Sequence, residues 1–324
     1  MRKFNHINAR SVDEAVSWLR RYGHRANVIA GGTDLIGKLK DEILPAYPEA
    51  IINLKTIPGL DFIKEEDGML KIGALSRLHD IAVNRTVIDR YPALATAAHR
   101  TASPNIRQMG TIGGNICQDI RCWYYRNPRN RFPCLRKGGS RCYAIDGDNR
   151  YHSIFGGSVE GGCYAVHPSD MAPALIALNA RIATSKRMVD AEDFFQVDVL
   201  RTTVLGADEI VTEIHVPEPS SGTRSAFLKF AIRKSIDFPI VNCAAMITSL
   251  AGKVSAARIC LNAVFGRPYR AIQAEEAIVG KAIDVTTAEA AGISALSDAK
   301  PLEYNRYMVH IGKELVKRTI ITCG

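Results

Sequence analysis

The sequence predicts an α+β protein of more than one compact unit, and three observations predict it. Short β-rich runs alternate with helical stretches through the first two thirds of the chain. Two glycine turns, AGGTD at 30–34 and TIGGN at 111–115, sit among apolar runs. Near residue 220 the composition shifts to long β-rich segments that end in helix, which suggests a smaller C-terminal domain. A length of 324 residues fits two or three such units better than one core.

The elements follow in order. SVDEAVSWLRRYG reads as a capped helix: Ser11 caps, Glu14 completes a capping box, Ala15, Trp18 and Leu19 make an apolar face, and Gly23 stops it. ANVIAGGTDLIGKLK reads as strand, glycine turn, helix. AIINLKTI and GMLKIGALS are short β-rich runs, RLHDIAVN and YPALATAAHR are helical, and GTIGGNIC is a glycine turn amid β-formers. HPSDMAPALIALNARIAT is a helix capped near Ser169 or Asp170 that runs into a strand. DEIVTEIHVPEP is a strand ended by prolines. RSAFLKFAIRKSIDFPIVNCAAMITSL and VSAARICLNAVF are β-rich around a DFP turn, and the C-terminus is helical.

Composition excludes several classes. An apolar content of 47% with 23% charged residues excludes wholesale disorder. No run approaches the roughly 18 apolar residues of a membrane span, so no membrane partner is expected. MRKFNHINARSVDEAVSWLRRYG has no apolar h-region and no small-residue cleavage site. A cytoplasmic chain with reduced thiols is expected, which argues against a disulfide framework. The net charge of +9 favours acidic partners, but no nucleic-acid motif accompanies it.

GTDLIGKL at 32–39 nearly matches a phosphate-binding P-loop, but Leu39 stands where the magnesium-binding hydroxyl is required. The dinucleotide fingerprint G-x-G-x-x-G is absent too. What remains is two glycine turns, each beside a threonine. They let backbone N–H groups approach an anion and suit a pyrophosphate-bearing ligand.

The stretch 117–142 gathers four of the eight cysteines and seven basic residues. Residues 123–162 lack periodicity, and an ordered loop of that length needs a function or a staple. Cys117, Cys122, Cys134 and Cys142 lie in the stretch, and Cys163 follows it. Four thiolates suit tetrahedral zinc or an iron–sulfur cubane, and unligated thiols are the third reading. Cys243 and Cys260 read as core thiols, Cys323 as uninformative, and no histidine has metal-ligand spacing. Trp123, Tyr124 and Tyr125 read as aromatics that anchor the loop.

AGGTDL at 30–35, TIGGNICQD at 111–119, HPSDMAPAL at 167–175, DEIVTEIHVP at 208–217 and KFAIRKSIDFPIV at 229–241 resemble, in order, the motifs of the FAD-binding medium subunits of the molybdenum hydroxylases. The resemblance implies a two-lobed FAD-binding domain of vanillyl-alcohol-oxidase type, residues 1–55 and 56–218, then a small CO-dehydrogenase flavoprotein C-terminal domain, 219–324. It implies FAD contacts from Ala30, Gly31, Gly32, Thr33, Asp34 and Leu35, from Thr111, Ile112, Gly113, Gly114 and Asn115, and from Asp170 and Lys229. Trp123 is a further candidate for touching the flavin. The insertion at about 122–163 resembles that of the 4-hydroxybenzoyl-CoA reductase β subunit. This implies a 4Fe–4S cluster on Cys122, Cys134, Cys142 and Cys163, with Cys117 a buried small apolar residue. These four are separated by 11, 7 and 20 residues, a loose spacing without C-x₂₋₄-C knuckles that favours a cluster over zinc.

The expected function is therefore electron transfer, with no catalytic residue in this chain. The implied partners are a molybdopterin-binding large subunit, a 2Fe–2S small subunit and a ferredoxin-like donor attracted by the basic loop, in a dimer of heterotrimers. The expected reaction is reductive dehydroxylation of an aromatic acyl-CoA in an anaerobe. Two rivals are the FAD subunit of an anaerobic xanthine or aromatic-heterocycle dehydrogenase and, from another class, a zinc-stabilised nucleic-acid-binding protein.

Overall fold

The computed structural model describes every residue except 45, 160, 161, 197, 199 and 200. Three sheets organise the described residues. The first is parallel, with strand Ala50–Asn53 between Asn5–Asn8 and Ala26–Ile29. Parallel strands need crossover connections, and helix Val12–Tyr22 carries the chain from one edge strand to the other. Ser11 Oγ accepts the Glu14 N–H at 3.1 Å. The Glu14 carboxylate reaches back one residue further than a capping box requires, to the Arg10 N–H at 2.8 Å. Gly23, at φ 56°, ends the helix as expected.

The second sheet is antiparallel, in the order Ile63–Glu66, Met69–Gly73, Val211–Pro217, Arg181–Thr184, Met188–Asp190. Its buried face, including Leu70, Ile72 and Ile214, packs in one core with helices Pro92–Arg100 and Met171–Ala177. The third is also antiparallel and is built on the long hairpin Val241–Leu250 and Lys253–Asn262, flanked by Thr223–Phe230 and Tyr269–Arg270.

Side chains alternate across this third sheet. Phe227, Ala244 and Cys260 join the core of the second unit, while Ala226, Cys243, Ala245 and Leu261 join the core under helices Val285–Ala295 and Tyr307–Thr322. A sheet buried on both faces must be apolar at both parities, which is why VNCAAM lacks polar alternation. Cys243 and Cys260 are fully buried, as expected, but on opposite faces. Cys323 also packs in the C-terminal core, where its sequence position carried no signal.

One element differs from expectation. TIGGN closes into a short helix, Ile112–Ile116, because Thr111 caps it by accepting the Gly114 N–H at 3.1 Å. Among its described residues the cysteine insertion has two single 3₁₀ turns, Pro128–Asn130 and Leu135–Lys137, and an isolated bridge from Phe155 to Lys300. Its base is closed by a two-bond bridge between Arg121 and Val166, at 2.8 and 3.0 Å. No described helix is long and apolar enough to cross a membrane.

Candidate functional site: a two-turn cleft beside a thiol cluster

The parallel sheet of the first unit delivers residues 30–34 to the start of helix Leu35–Asp41. A Cβ on Gly31 would stand 2.1 Å from the Met109 carbonyl oxygen and 2.9 Å from Gly110 Cα. The turn at 30–34 therefore lies directly against the backbone that leads into the turn at 111–115. Only a residue without a side chain permits that approach.

Between the turns run cavities of about 250 and 280 Å³, with Thr33, Asp34, Thr111, Gly114 and Gln118 in the walls of both. Shared walls make them one cleft of the size that holds a nucleotide cofactor. Beside Gly114 only Thr111 Oγ1, at 3.1 Å, stands within reach of an added Cβ, and the remaining space is open cleft that a ligand could fill. Ala30, Gly31, Gly32, Leu35 and Gly113 line the first cavity, and Asn115 and Asp170 the second.

Two of the expected contact residues face elsewhere. Ile112 is fully buried in the hydrophobic core, because the short helix turns it inward. Lys229 lies behind Asp170, on which its ammonium closes at 2.6 Å. Cys117, expected to be a buried small apolar residue, is half-buried: it packs against the core and also lines the first cavity. Lys38, Gln118, Ile236 and Phe238 line the cleft without having been singled out from sequence. Ile236 has φ 70°, a left-handed conformation costly for a β-branched residue, held by its N–H on the Ala102 carbonyl at 3.1 Å. Only the irregular IDFP turn hinted at this.

Asp170 and Lys229 form an ion pair with side chains only 4% and 3% exposed. Asn242 Nδ2 donates to the other carboxylate oxygen at 2.7 Å. Burial raises the Asp170 pKa, against the pull of Lys229. Replacing Lys229 with Met strands a buried carboxylate, so a loss of about 3–5 kcal/mol in unfolding free energy is expected. That carboxyl pKa then lies further above its unfolded value, so the deficit should shrink as pH falls and the group takes up its proton. Urea denaturation at pH 7 and pH 5 checks both the size and the trend.

The cysteine insertion is fastened to the first turn through carboxylates. Asp34 pairs with Arg121 at 2.9 Å and with Arg126 at 2.8 Å, and accepts the Asp119 N–H at 3.0 Å. Burial would raise the Asp34 pKa, but Arg126 and Arg121 hold it below the usual value. Asp119 pairs with Lys38 and accepts the Tyr125 hydroxyl at 2.6 Å. The three aromatics anchor the loop as expected: Tyr125 is buried, Tyr124 packs on Phe132 and Tyr143, and Trp123 stacks on Tyr151 at 5.6 Å. Trp123 lines not the cleft itself but an adjoining cavity of about 480 Å³. That cavity meets the cleft at Arg121, Pro168, Asp237 and Phe238 and reaches Cys122.

Cys122, Cys134, Cys142 and Cys163 converge inside the insertion, near enough that ionisation of one opposes ionisation of its neighbours. Burial, the dominant cause, pushes the Cys122 thiol up to about 12 and also raises Cys134 and Cys142. Opposing it, backbone N–H groups point at the sulfurs: those of Tyr125 and Tyr124 at Cys122, that of Arg136 at Cys134, and those of Tyr164 and Ala144 at Cys142. Arg136 Nε donates to Cys163 Sγ at 3.2 Å, and His152 Nε2 lies 3.2 Å from Cys122 Sγ. Hydrogen bonds aimed at sulfur stabilise thiolates and suit an anionic metal–sulfur centre.

Among the described residues no three His, Cys, Asp or Glu side chains are gathered tightly enough to hold a single metal ion. Zinc at about 2.3 Å from each ligand would need sulfurs about 4 Å apart. A four-iron centre takes four thiolates at its corners, and four cysteines are the donor set gathered here. His152 was missed from sequence because nothing local links it to Cys122, 30 residues away.

A cleft walled by two glycine turns, with a fixed ion pair on its floor, defines a nucleotide-cofactor-binding subunit. Residues 2–219 match the FAD binding domain in molybdopterin dehydrogenase, and residues 226–322 match the CO dehydrogenase flavoprotein C-terminal domain. The chain belongs to the FAD-binding medium-subunit family of the molybdenum hydroxylases. It is 31% identical over 299 residues to the aldehyde oxidoreductase FAD-binding subunit PaoB of Escherichia coli strain K12, covering 89% of this chain and 88% of that one. It is 28% identical to the carbon monoxide dehydrogenase medium chain of Hydrogenophaga pseudoflava, over 98% of this chain and 96% of that one. The solved structure of carbon monoxide dehydrogenase from the same organism, in a form lacking the Mo-pyranopterin moiety, superposes with TM-score 0.79 at 28% identity. It covers 99% of this chain and 97% of that one. The α+β architecture expected from sequence is thus the fold, and the named relatives are oxidoreductase subunits.

Proposed function

We propose that this chain is an FAD- and 4Fe–4S-carrying electron-transfer subunit of a molybdenum hydroxylase-family complex, the β subunit of a 4-hydroxybenzoyl-CoA reductase. The observation that carries the reading is the thiol quartet on a loop pinned to the FAD turn by Asp34. Bound FAD and the cluster supply electron storage and exchange. The residues of this chain place them. Gly31, Gly32 and Thr33 at the first turn, with Thr111, Gly113, Gly114 and Asn115 at the second, hold the pyrophosphate and one edge of the flavin, and Asp170 holds its place through Lys229. Cys122, Cys134, Cys142 and Cys163 ligate the cluster. Trp123 and Phe238 border the cavity that joins the two sites.

Substrate chemistry, the molybdopterin and the 2Fe–2S clusters belong to partner subunits in a dimer of heterotrimers. A ferredoxin-like donor is drawn by the exposed basic side chains of the insertion. One observation favours the reverse flow of an anaerobic heterocycle dehydrogenase: a relative 29% identical over 298 residues is the nicotinate dehydrogenase FAD-subunit of Eubacterium barkeri. Assaying the whole complex with reduced ferredoxin and with NAD distinguishes the two directions.

The direct test is the visible spectrum and iron content of the chain purified anaerobically and reconstituted with FAD and iron. One flavin and about four irons per chain, the number a cubane requires, are expected, and Cys163→Ser should lose the iron and keep the flavin. Flavin with zinc in place of iron would sink the cluster assignment, and absence of flavin would sink the whole reading.

A further inference from the structure

Eight basic residues fall between 121 and 150, and the fold separates them. Arg129, Arg131, Arg141 and Arg150 are exposed. Arg121 and Arg126 are committed to Asp34. Only Arg136 and Lys137, 5% and 8% exposed, are buried with the thiols. Arg136 already donates to Cys163 Sγ.

Lys137 is different. Its Nζ is buried without a hydrogen-bond acceptor among the described residues, and its recorded neighbour is the face of the Tyr125 ring, 5.8 Å away. An ammonium taken out of water without an acceptor costs several kcal/mol. Burial lowers its pKa, and the groups that oppose this are the Cys134 and Cys122 sulfurs. Its place is rigid: Lys137 N–H closes the 3₁₀ turn on the Cys134 carbonyl at 2.8 Å, and Gly138, at φ 82°, ends that turn.

From the thiol quartet and this orphaned ammonium, we propose that Lys137 is the residue that compensates the charge of an anionic centre held by Cys122, Cys134, Cys142 and Cys163 and thereby sets its reduction potential. The inference rests on the cluster assignment above and adds a role for one side chain. Lys137 is a positioning and tuning residue, not a catalytic one. A fixed positive charge favours the reduced form, which carries one more electron, so its removal lowers the potential.

The test is a redox titration of the full chain, reconstituted with FAD and iron and followed by the electron paramagnetic resonance of the cluster. Wild type is compared with Lys137→Gln, Lys137→Met and Lys137→Arg. Gln and Met should disfavour reduction by at least about tenfold, which is about 59 mV for a one-electron couple, while Arg stays near wild type and the flavin couple does not move. Neutral variants that lose iron while Arg retains it would support the same role for the charge. An unchanged potential in Gln and Met, or iron lost from all three variants, would overturn it. Wild type without iron defeats the cluster assignment itself, a different failure read before any variant is compared.

Discussion

Gly31→Ala is expected to abolish FAD retention while leaving the C-terminal unit folded. The added Cβ would lie 2.1 Å from the Met109 oxygen, 2.8 Å from its carbonyl carbon and 2.9 Å from Gly110 Cα. All three are backbone atoms, so no side chain can swing aside, and the two turns must separate. Overpacking of this kind costs about 1–3 kcal/mol in stability. The effect on binding is larger, because a cleft built from both turns loses its spacing throughout. We expect FAD affinity to fall at least about a hundredfold, about 2.7 kcal/mol. Flavin content after gel filtration reads the loss. Far-UV circular dichroism and the melting of the C-terminal core, which shares no residue with this turn, serve as folding controls. Stoichiometric flavin in the Ala variant would show that contact between the turns does not shape the site.

Asp34→Asn should lose flavin and, with it, the iron of the proposed cluster. Asparagine keeps the shape and can still accept the Asp119 N–H, but it removes the carboxylate paired with Arg121 and Arg126 and leaves them the Asp119 charge alone. Breaking a largely buried pair from one side costs about 3–5 kcal/mol at full burial. The Asp34 side chain is 18% exposed, so the lower end applies. The insertion then loses its ion pairs to the FAD turn and keeps only the Asp119 N–H bond and the Lys38–Asp119 pair, and Arg121, which stacks 4.0 Å over the Phe238 ring at the junction of the cavities, is freed from Asp34. Binding of FAD and binding of iron should also be linked in the wild type, each tightening the other by the same factor. Titrating FAD before and after iron removal measures that factor. In Asp34→Asn it should approach one.

The pH dependence has a definite sign. The Asp34 carboxyl is held below its unfolded value of 3.8. Its contribution to loop docking is therefore complete above that value and is lost as pH falls through the folded pKa. Below about pH 4 the wild type should begin to resemble Asp34→Asn in flavin release. With the proposed cluster bound, iron loss in acid would also follow from protonation of its thiolate ligands, so flavin release is the cleaner readout.

Much of this architecture was legible in local signals. Ser11 and Gly23 bracket the first helix because capping and positive φ are decided within a few residues. The glycine pair at 31–32 marked a close approach, since only a residue without Cβ tolerates one. The long run from Val241 was legible as strand, but not as a strand buried on both faces, because burial depends on what packs above and below it. TIGGN was misjudged at the level of secondary structure: its β-formers argued for a turn, and one side-chain cap from Thr111 tipped it into helix.

By itself, then, the sequence determined the α+β class, the two glycine turns, the motif order that marks the family and the candidacy of four cysteines among eight. Each is a property of neighbouring residues or of their order. The tertiary structure alone decided which candidates meet. It turned Ile112 into the core and set Lys229 behind Asp170. It brought His152 to Cys122, tied Asp34 to Arg121 and Arg126, and buried Lys137 while leaving four nearby arginines in water. The side-chain pairs among those outcomes join residues 30 to 92 positions apart, and their energies arise only when the chain has closed around them.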